Sequence, residues 1–131
     1  MRCLVDTQAL IWFAENNPKL SDLAKRLIED SGNEIFVSQF SYVEIATKIA
    51  VQKLTLKKGL LSLMDECQNQ RIITLTVQNS HLLAYNDIPL LENHRDSFDR
   101  MIIVTAIVED LSIITSDEKF NWYLDLVRVT W

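Results

Sequence analysis

The chain of 131 residues contains only two glycines, two prolines and two cysteines. With so little glycine and proline, no segment has the composition of a flexible linker, and no repeat or low-complexity tract is present. We therefore expect a single domain over residues 1–131. Cys3 and Cys67 are too few for a disulfide framework and lack the C-x-x-C spacing, which favours a reducing cytoplasm.

Long apolar runs are also missing. No run approaches the roughly 20 residues of a membrane span, and the N-terminus passes from Arg2 through a few small or apolar residues to Asp6. We expect neither a membrane anchor nor a signal peptide. The net charge of -5 argues against a generally basic nucleic-acid binder, but a site made of carboxylates would account for much of this excess. Net charge alone therefore does not exclude RNA.

Short apolar runs alternate with helical patterns along the chain. The apolar runs predict strands at residues 2–5, 35–37, 72–75, 113–115 and 127–129. Helical spacing predicts helices over residues 7–16, 57–70, 77–86, 97–109 and 118–124, one between Ser21 and Ser31, and one from Ser38 or Ser41 to about Gln52. Residues 87–95, with Pro89, form a loop. Right-handed crossovers between such strands predict an α/β three-layer sandwich, with a mostly parallel five-stranded sheet flanked by helices.

Four acidic residues lie at junctions between predicted strands and helices. Asp6 and Asp117 follow short β-branched runs, whereas Glu44 and Asp99 come early in helical segments. Because crossover helices begin at the edge where parallel strands end, we expect one edge to collect all four. Close carboxylates repel by on the order of 4 kcal/mol at about 4 Å and an effective dielectric of about 20. The arrangement therefore predicts a divalent-metal site.

Each of these acids also has an ordinary structural explanation. Asp6 and Asp117 can be helix caps after a strand. Asp99 can be an acidic residue favoured by a helix dipole, and Glu44 can form a surface ion pair with Lys48 four residues later. Four such coincidences at one sheet edge are rarer than any single one, so together they favour a functional site.

The remaining candidates are weaker. Asp96 precedes Ser97 and fits a helix N-cap better than a metal contact. His81 and His94 lack the spacing of a zinc site, and the chain has neither a phosphate-binding glycine loop nor a nucleophile elbow. Six basic residues are candidates for a phosphate-binding surface, although a solvated face accounts for most of them. They are Lys48, Lys53, Lys57, Lys58, Arg95 and Arg100.

Four segments, taken in order, resemble a known family. They are L-V-D-T at residues 4–7, V-S-x-x-S-Y-V-E-I at 37–45, H-R-D-S-F-D-R-M-I-I-V-T-A at 94–106 and I-I-T-S-D-E-K-F at 113–120. The third is specific, because D-x-F-D-R followed by an apolar helix rarely arises by chance. In these segments the chain resembles the PIN-domain nucleases, and among them the VapC-type toxins of bacterial toxin-antitoxin pairs. One departure is Ser97, where this subgroup often has proline.

The resemblance implies a parallel five-stranded sheet, Mg²⁺ or Mn²⁺ in an acidic pocket, and hydrolysis of RNA phosphodiester bonds. It also implies a cognate antitoxin and a homodimer. The acidic positions of the family fall on Asp6, Glu44, Asp99 and Asp117. We interpret Asp6 and Asp99 as principal metal ligands, and Glu44 and Asp117 as ligands of a second metal or as bases that orient water. Auxiliary candidates are Thr7, Asp96, Arg100 and Ser116.

Two other functions compete with this interpretation. One is a non-catalytic RNA- or protein-binding module, in which the acids have only structural or partner-binding roles. The other is a phospho-accepting receiver or an aspartyl-phosphate hydrolase, which also places an aspartate after its first strand. The second fits poorly, because Asp6 is not followed by the D-x-T pattern and no paired early acids are present.

Overall fold

The structure, a computed structural model, describes residues 1–89 and 96–131. Its five strands are β1 (Arg2–Val5), β2 (Glu34–Ser38), β3 (Ile73–Leu75), β4 (Ser112–Ile114) and β5 (Val129–Thr130). They form one sheet in the order β3-β2-β1-β4-β5, and every neighbouring pair is parallel. The central position of β1 places its carboxyl end between those of β2 and β4.

Helices cover both faces of this sheet. They are α1 (Thr7–Ala14), α2 (Asp22–Glu29), α3 (Gln39–Ala50), α4 (Gly59–Asn69), α5 (Asn79–Asp87), α6 (Ser97–Glu109) and a 3-10 helix (Glu118–Tyr123). Cys3 and Val5 belong to an apolar cluster with α1 to α4, whereas Leu4 belongs to a second cluster with α6 and the 3-10 helix. Because alternate residues of a strand face opposite sides, this division confirms the predicted three-layer sandwich. Within the described ranges, no helix is long and apolar enough to cross a membrane.

Several boundaries differ from the predicted ones for local reasons. The sequence predicts the last strand at 127–129, but the backbone N–H of Val127 bonds to the carbonyl of Tyr123 at 2.9 Å and is not available to the sheet, so β5 begins at Val129. Helix α4 begins at Gly59, whose φ is 82°, and not at residue 57. The loop predicted at 87–95 lies mostly outside the described residues.

Helix starts show how side chains set the other boundaries. Ser38, not Ser41, caps α3, since its Oγ accepts a hydrogen bond from the backbone N–H of Phe40 at 3.1 Å. Helix α5 begins at Asn79, and at its start the ring Nδ1 of His81 accepts a hydrogen bond from the backbone N–H of Gln78 at 3.1 Å. His81 is buried, and its other ring nitrogen lies 2.8 Å from Glu109 on α6. This histidine therefore joins two helices.

Candidate active site

Asp6 is the first residue beyond the central strand. The register pairs Val5 with Ile114, so the residues that follow β1 and β4 lie side by side. The backbone N–H of Asp6 donates to the carbonyl of Ile114 at 3.1 Å, and its Oδ1 accepts from the N–H of Ala9 at 2.7 Å. The residue is 6% exposed. The carboxylate is thus buried and fixed as the N-cap of α1.

Thr115 connects Asp6 to Asp117. The Thr115 hydroxyl donates a hydrogen bond to Asp6 Oδ2. The hydroxyl oxygen of Thr115 also accepts a hydrogen bond from the backbone N–H of Asp117 at 3.0 Å. Thr115 is missing from the candidates drawn from the sequence, which include its neighbour Ser116, an exposed residue. Thr115 is the first residue beyond β4, as Asp6 is the first residue beyond β1, and this equivalent position is the signal that could have identified Thr115.

Three of the acids interact through their charges. Burial, and to a smaller extent the negative charges of Asp99 and Asp117, raise the pKa of Asp6 from 3.8 to about 6. The hydrogen bonds from Thr115 and Ala9 act in the opposite direction and lower it. Asp99 and Asp117 are therefore close enough to Asp6 to repel its charge, and a cation placed here would relieve that repulsion.

Glu44 lies on α3 and is also buried, at 5% exposure. Its Oε2 is 2.6 Å from Lys48 Nζ, so the predicted ion pair exists. Partial burial lowers the pKa of Lys48, but the hydrogen bond and charge of Glu44, with the charges of Asp96 and Asp99, outweigh it and raise the pKa. The pair on α3 therefore lies within electrostatic range of the first turn of α6.

Asp96 and Asp99 open α6. Asp96 is exposed and caps the helix, because its Oδ1 accepts from the backbone N–H groups of Phe98 at 2.9 Å and Asp99 at 3.0 Å. The capping interpretation of Asp96 is confirmed. Asp99 is half-buried, and its charge acts on both Asp6 and Lys48. It is thus the acid that links the two parts of the candidate site.

Asp117 also has a capping role. Its Oδ1 accepts from the backbone N–H of Lys119 at 2.9 Å, at the start of the 3-10 helix. A cap of this kind uses one carboxylate oxygen, so it is compatible with a second role for the same residue. Asp6, Asp96 and Asp117 all combine a cap with a position at this edge of the sheet.

The auxiliary candidates have different environments. Thr7 is buried beside Asp6, whereas Ser116 is exposed. Arg100 is buried, and its guanidinium donates to the carbonyl of Pro89 at 2.9 Å and lies 4.9 Å from the centre of the Tyr85 ring. These contacts hold the end of α5 against α6 and give Arg100 a structural role.

The candidate basic residues also differ in their environments. Lys48 contacts an acid of the candidate site, whereas Lys53, Lys57 and Lys58 are exposed. Arg95 and His94 lie outside the described residues.

The oxygens at this edge suit a hard divalent cation. Among the described residues, three buried side-chain atoms have no hydrogen-bond partner: Thr7 Oγ1, Ser41 Oγ and Glu44 Oε1. All three belong to α1 and α3, which begin at the carboxyl edge of the sheet. Residues 1–89 and 96–131 contain no ready-made group of three or more metal-binding side chains. Mg²⁺ uses few protein carboxylates and keeps several waters, so the separated acids still fit it.

Comparison with known proteins identifies the family. The PIN domain model matches residues 3–123, and the chain belongs to the PIN domain family. None of the curated protein sequences matches the chain.

Three solved structures share the fold over nearly its full length. VapBC2 from Rickettsia felis, bound to a DNA fragment from its promoter, has a TM-score of 0.68 and 17% identity, covering 99% of this chain and 98% of that chain. VapBC-1 from nontypeable Haemophilus influenzae has a TM-score of 0.67 and 18% identity, with coverages of 99% and 97%. FitAcB from Neisseria gonorrhoeae has a TM-score of 0.60 and 19% identity, with coverages of 98% and 96%. The resemblance seen in the sequence is confirmed for the family and the fold.

Proposed function

We propose that the protein is a metal-dependent endoribonuclease, which hydrolyses RNA phosphodiester bonds and acts as the toxin of a bacterial toxin-antitoxin pair. The observation that carries this proposal is the buried carboxylate of Asp6, whose pKa is raised by burial and by the charges of Asp99 and Asp117. Repelling carboxylates at the carboxyl edge of a parallel sheet are where a hard cation and a phosphate would be expected. Membership of the PIN domain family supports the same activity.

In the proposed reaction, Asp6 and Asp99 would hold the cation, directly or through water. Bound Mg²⁺ or Mn²⁺ would lower the pKa of the attacking water and stabilise negative charge on the phosphate. Thr115 holds Asp6 in place through its hydroxyl. Glu44 and Asp117 would serve as ligands of a second cation or would accept the proton of the attacking water.

The proposed partners are RNA, a cognate antitoxin and a second copy of the chain. The antitoxin is supported by the similarity to VapBC and FitAcB structures, and the homodimer by the resemblance to VapC-type toxins. An antitoxin that places an arginine or lysine among the carboxylates would neutralise them and cover the site. The proposed location is the cytoplasm, in keeping with two free buried cysteines.

A cleavage assay tests this function. A mixed RNA pool is incubated with the wild type in Mg²⁺, in Mn²⁺ and in chelator, beside Asp99→Asn and Asp22→Asn. Asp22 is a matched control, because it is an exposed acid in the first turn of α2, as Asp99 is an acid in the first turn of α6. We expect cleavage by the wild type and Asp22→Asn with metal only. Absence of cleavage with either metal, or full activity of Asp99→Asn, would contradict the proposal.

A non-catalytic binding module is the second candidate. It is favoured by one observation, that Asp6, Asp96 and Asp117 each cap a helix and so have a structural use. This alternative predicts that the wild type binds RNA or a protein partner equally well in metal and in chelator, and that it cleaves no RNA. Binding without cleavage in the same RNA pool would support it over the nuclease.

A further inference from the structure

The ion pair on α3 is asymmetric. Glu44 and Lys48 are one helical turn apart, and Lys48 Nζ lies 2.6 Å from Glu44 Oε2. The side chain of Glu44 is 7% exposed, whereas that of Lys48 is 46% exposed. A half-exposed ammonium group thus holds a carboxylate that is almost entirely removed from water.

An ordinary surface ion pair does not account for the other oxygen of Glu44. Oε1 is buried and has no hydrogen-bond partner in the part of the chain that the structure describes. A buried carboxylate normally has its oxygens satisfied, because leaving one without a donor forfeits the hydration it had in the unfolded chain. The lysine therefore satisfies only half of the group.

The position of the pair on α3 directs it towards α6. Phe40, Glu44 and Lys48 follow one another at intervals of four residues, so they share one face of the helix. Phe40 contacts Phe98 of α6, with ring centroids 5.2 Å apart. Phe98 immediately precedes Asp99, so the face that carries Glu44 and Lys48 packs beside the first turn of α6.

We propose that Lys48 is a positioning residue, which holds Glu44 through Oε2 and leaves the buried Oε1 available to a hard divalent cation at the acidic edge of the sheet. The cation itself rests on the proposed function, whereas the role of Lys48 rests on the ion pair and the unpartnered oxygen. Polar partners that orient a metal ligand in this way commonly raise metal affinity by about 10- to 100-fold.

A purely electrostatic role for Lys48 predicts the opposite result. A positive charge among carboxylates repels a divalent cation, so its removal would strengthen metal binding if Lys48 only neutralised the acids. A purely structural role predicts a change in the free energy of unfolding with no change in metal affinity. The direction of the change in affinity therefore separates the three roles.

The test measures Mn²⁺ affinity by titration calorimetry on the full chain without RNA. For Lys48→Met we expect affinity weaker by about 10- to 100-fold. Lys48→Arg, which keeps a charged donor, should remain within about a few fold of wild type. The control is Lys25→Met, on the exposed surface of α2, which should leave the affinity unchanged. Thermal unfolding in chelator checks that each variant is folded.

Unchanged or tighter Mn²⁺ binding by Lys48→Met would overturn the inference, as would a wild type that binds no Mn²⁺. If Lys48→Met does not fold, Lys48→Gln takes its place with the same expected direction. A wild type that binds Mn²⁺ and loses affinity on the Lys48 change, yet cleaves no RNA, would refute the proposed ribonuclease activity and leave the role of Lys48 intact. If the wild type cleaves RNA but Lys48→Met binds Mn²⁺ as tightly as the wild type, the role of Lys48 is refuted and the proposed ribonuclease activity is left intact.

Discussion

Two buried carboxylates lie at the same edge of the sheet, and they are stabilised differently. Asp6 receives hydrogen bonds from a hydroxyl and a backbone N–H, both uncharged, whereas Glu44 receives one from the ammonium group of Lys48. Burial, together with a smaller contribution from the charges of Asp99 and Asp117, raises the pKa of Asp6 to about 6. The two hydrogen bonds to Asp6 therefore do not offset its burial and the nearby negative charges. A metal ion beside Asp6 would oppose both effects.

The largest expected effect on the comparison of Asp6 with Glu44 comes from replacing Asp99. Its charge acts both on Asp6 and on Lys48, the partner of Glu44. In Asp99→Asn, loss of a metal ligand should reduce RNA cleavage by about 100-fold or more, whereas loss of one negative charge should leave the metal-free protein as stable or more stable. The measurements are cleavage in Mn²⁺ and thermal unfolding in chelator. A variant that unfolds earlier in chelator but cleaves like wild type would make Asp99 a structural residue.

The raised pKa of Asp6 predicts a pH dependence of stability. The pKa of Asp6 is about 6 in the folded chain, against the ordinary value of 3.8 for the unfolded chain. Between these two pH values the folded protein therefore binds more protons than the unfolded chain. The contribution of Asp6 is therefore favourable below about pH 4 and is lost as the pH rises through about 6, by about 3 kcal/mol for two pKa units. The check is denaturant unfolding in chelator at several pH values, with Asp6→Asn as control.

The neutral amide introduced by Asp6→Asn can still accept the hydrogen bond from the N–H of Ala9, so capping is preserved in that control. The difference in the free energy of unfolding between the two proteins should change over the pH window from about 4 to about 6, which the two pKa values of Asp6 set. A constant difference would mean that Asp6 is not the group that titrates, and that the contrast with Glu44 is not one of compensated charge.

A bound metal ion should reduce the difference between the environments of Asp6 and Glu44. An ion that binds only the folded protein stabilises it by about 2.7 kcal/mol at a hundredfold excess over Kd. We expect Mg²⁺ or Mn²⁺ to raise the Tm of the wild type, with a larger increase at about pH 7 than at about pH 5, where Asp6 is mostly protonated. No increase in Tm at millimolar concentrations of either ion would remove the basis for a metal site.

The smallest effect concerns the hydroxyl that holds Asp6. In Thr115→Val, the hydrogen bond that lowers the pKa of Asp6 is lost, so this pKa should rise further, and the free energy of unfolding should fall by about 1 to 2 kcal/mol. Thr115→Ser keeps the hydroxyl and should behave like wild type. Equal pH profiles of unfolding for the valine and serine variants would show that the hydroxyl does not control Asp6.

Much of the fold follows from the sequence because its causes are local. Helix α6 has the predicted limits, Ser97–Glu109, since its cap at Asp96 and its apolar spacing lie within the same segment. The strand runs and the cap at Ser21 are likewise predicted from neighbouring residues. The last strand is displaced because a turn at Tyr123 uses the N–H of Val127, which a period-two pattern does not reveal.

The candidate site was predicted less completely. The acids at the sheet edge were identified, and the charges of Asp99 and Asp117 act on Asp6 in the structure, but the catalytic and metal-binding roles remain predictions. In the sequence, Lys48 stands chiefly as the surface partner of Glu44. The sequence does not show that the Glu44 carboxylate is buried. Its burial is the reason why Lys48 is interpreted as a positioning residue and not only as a surface ion-pair partner.

By itself the sequence determined which segments form strands and helices, that parallel strands would bring acids to one edge, and to which family the chain belongs. Only the tertiary structure decided that Thr115, 109 residues from Asp6 in sequence, donates to its carboxylate, and that one oxygen of Glu44 is left without a partner among the described residues. The physical reason is that caps and periodicity depend on contacts within a few residues. Burial and the partners of a buried charge depend on the register between β1 and β4 and on the packing of α3 against α6.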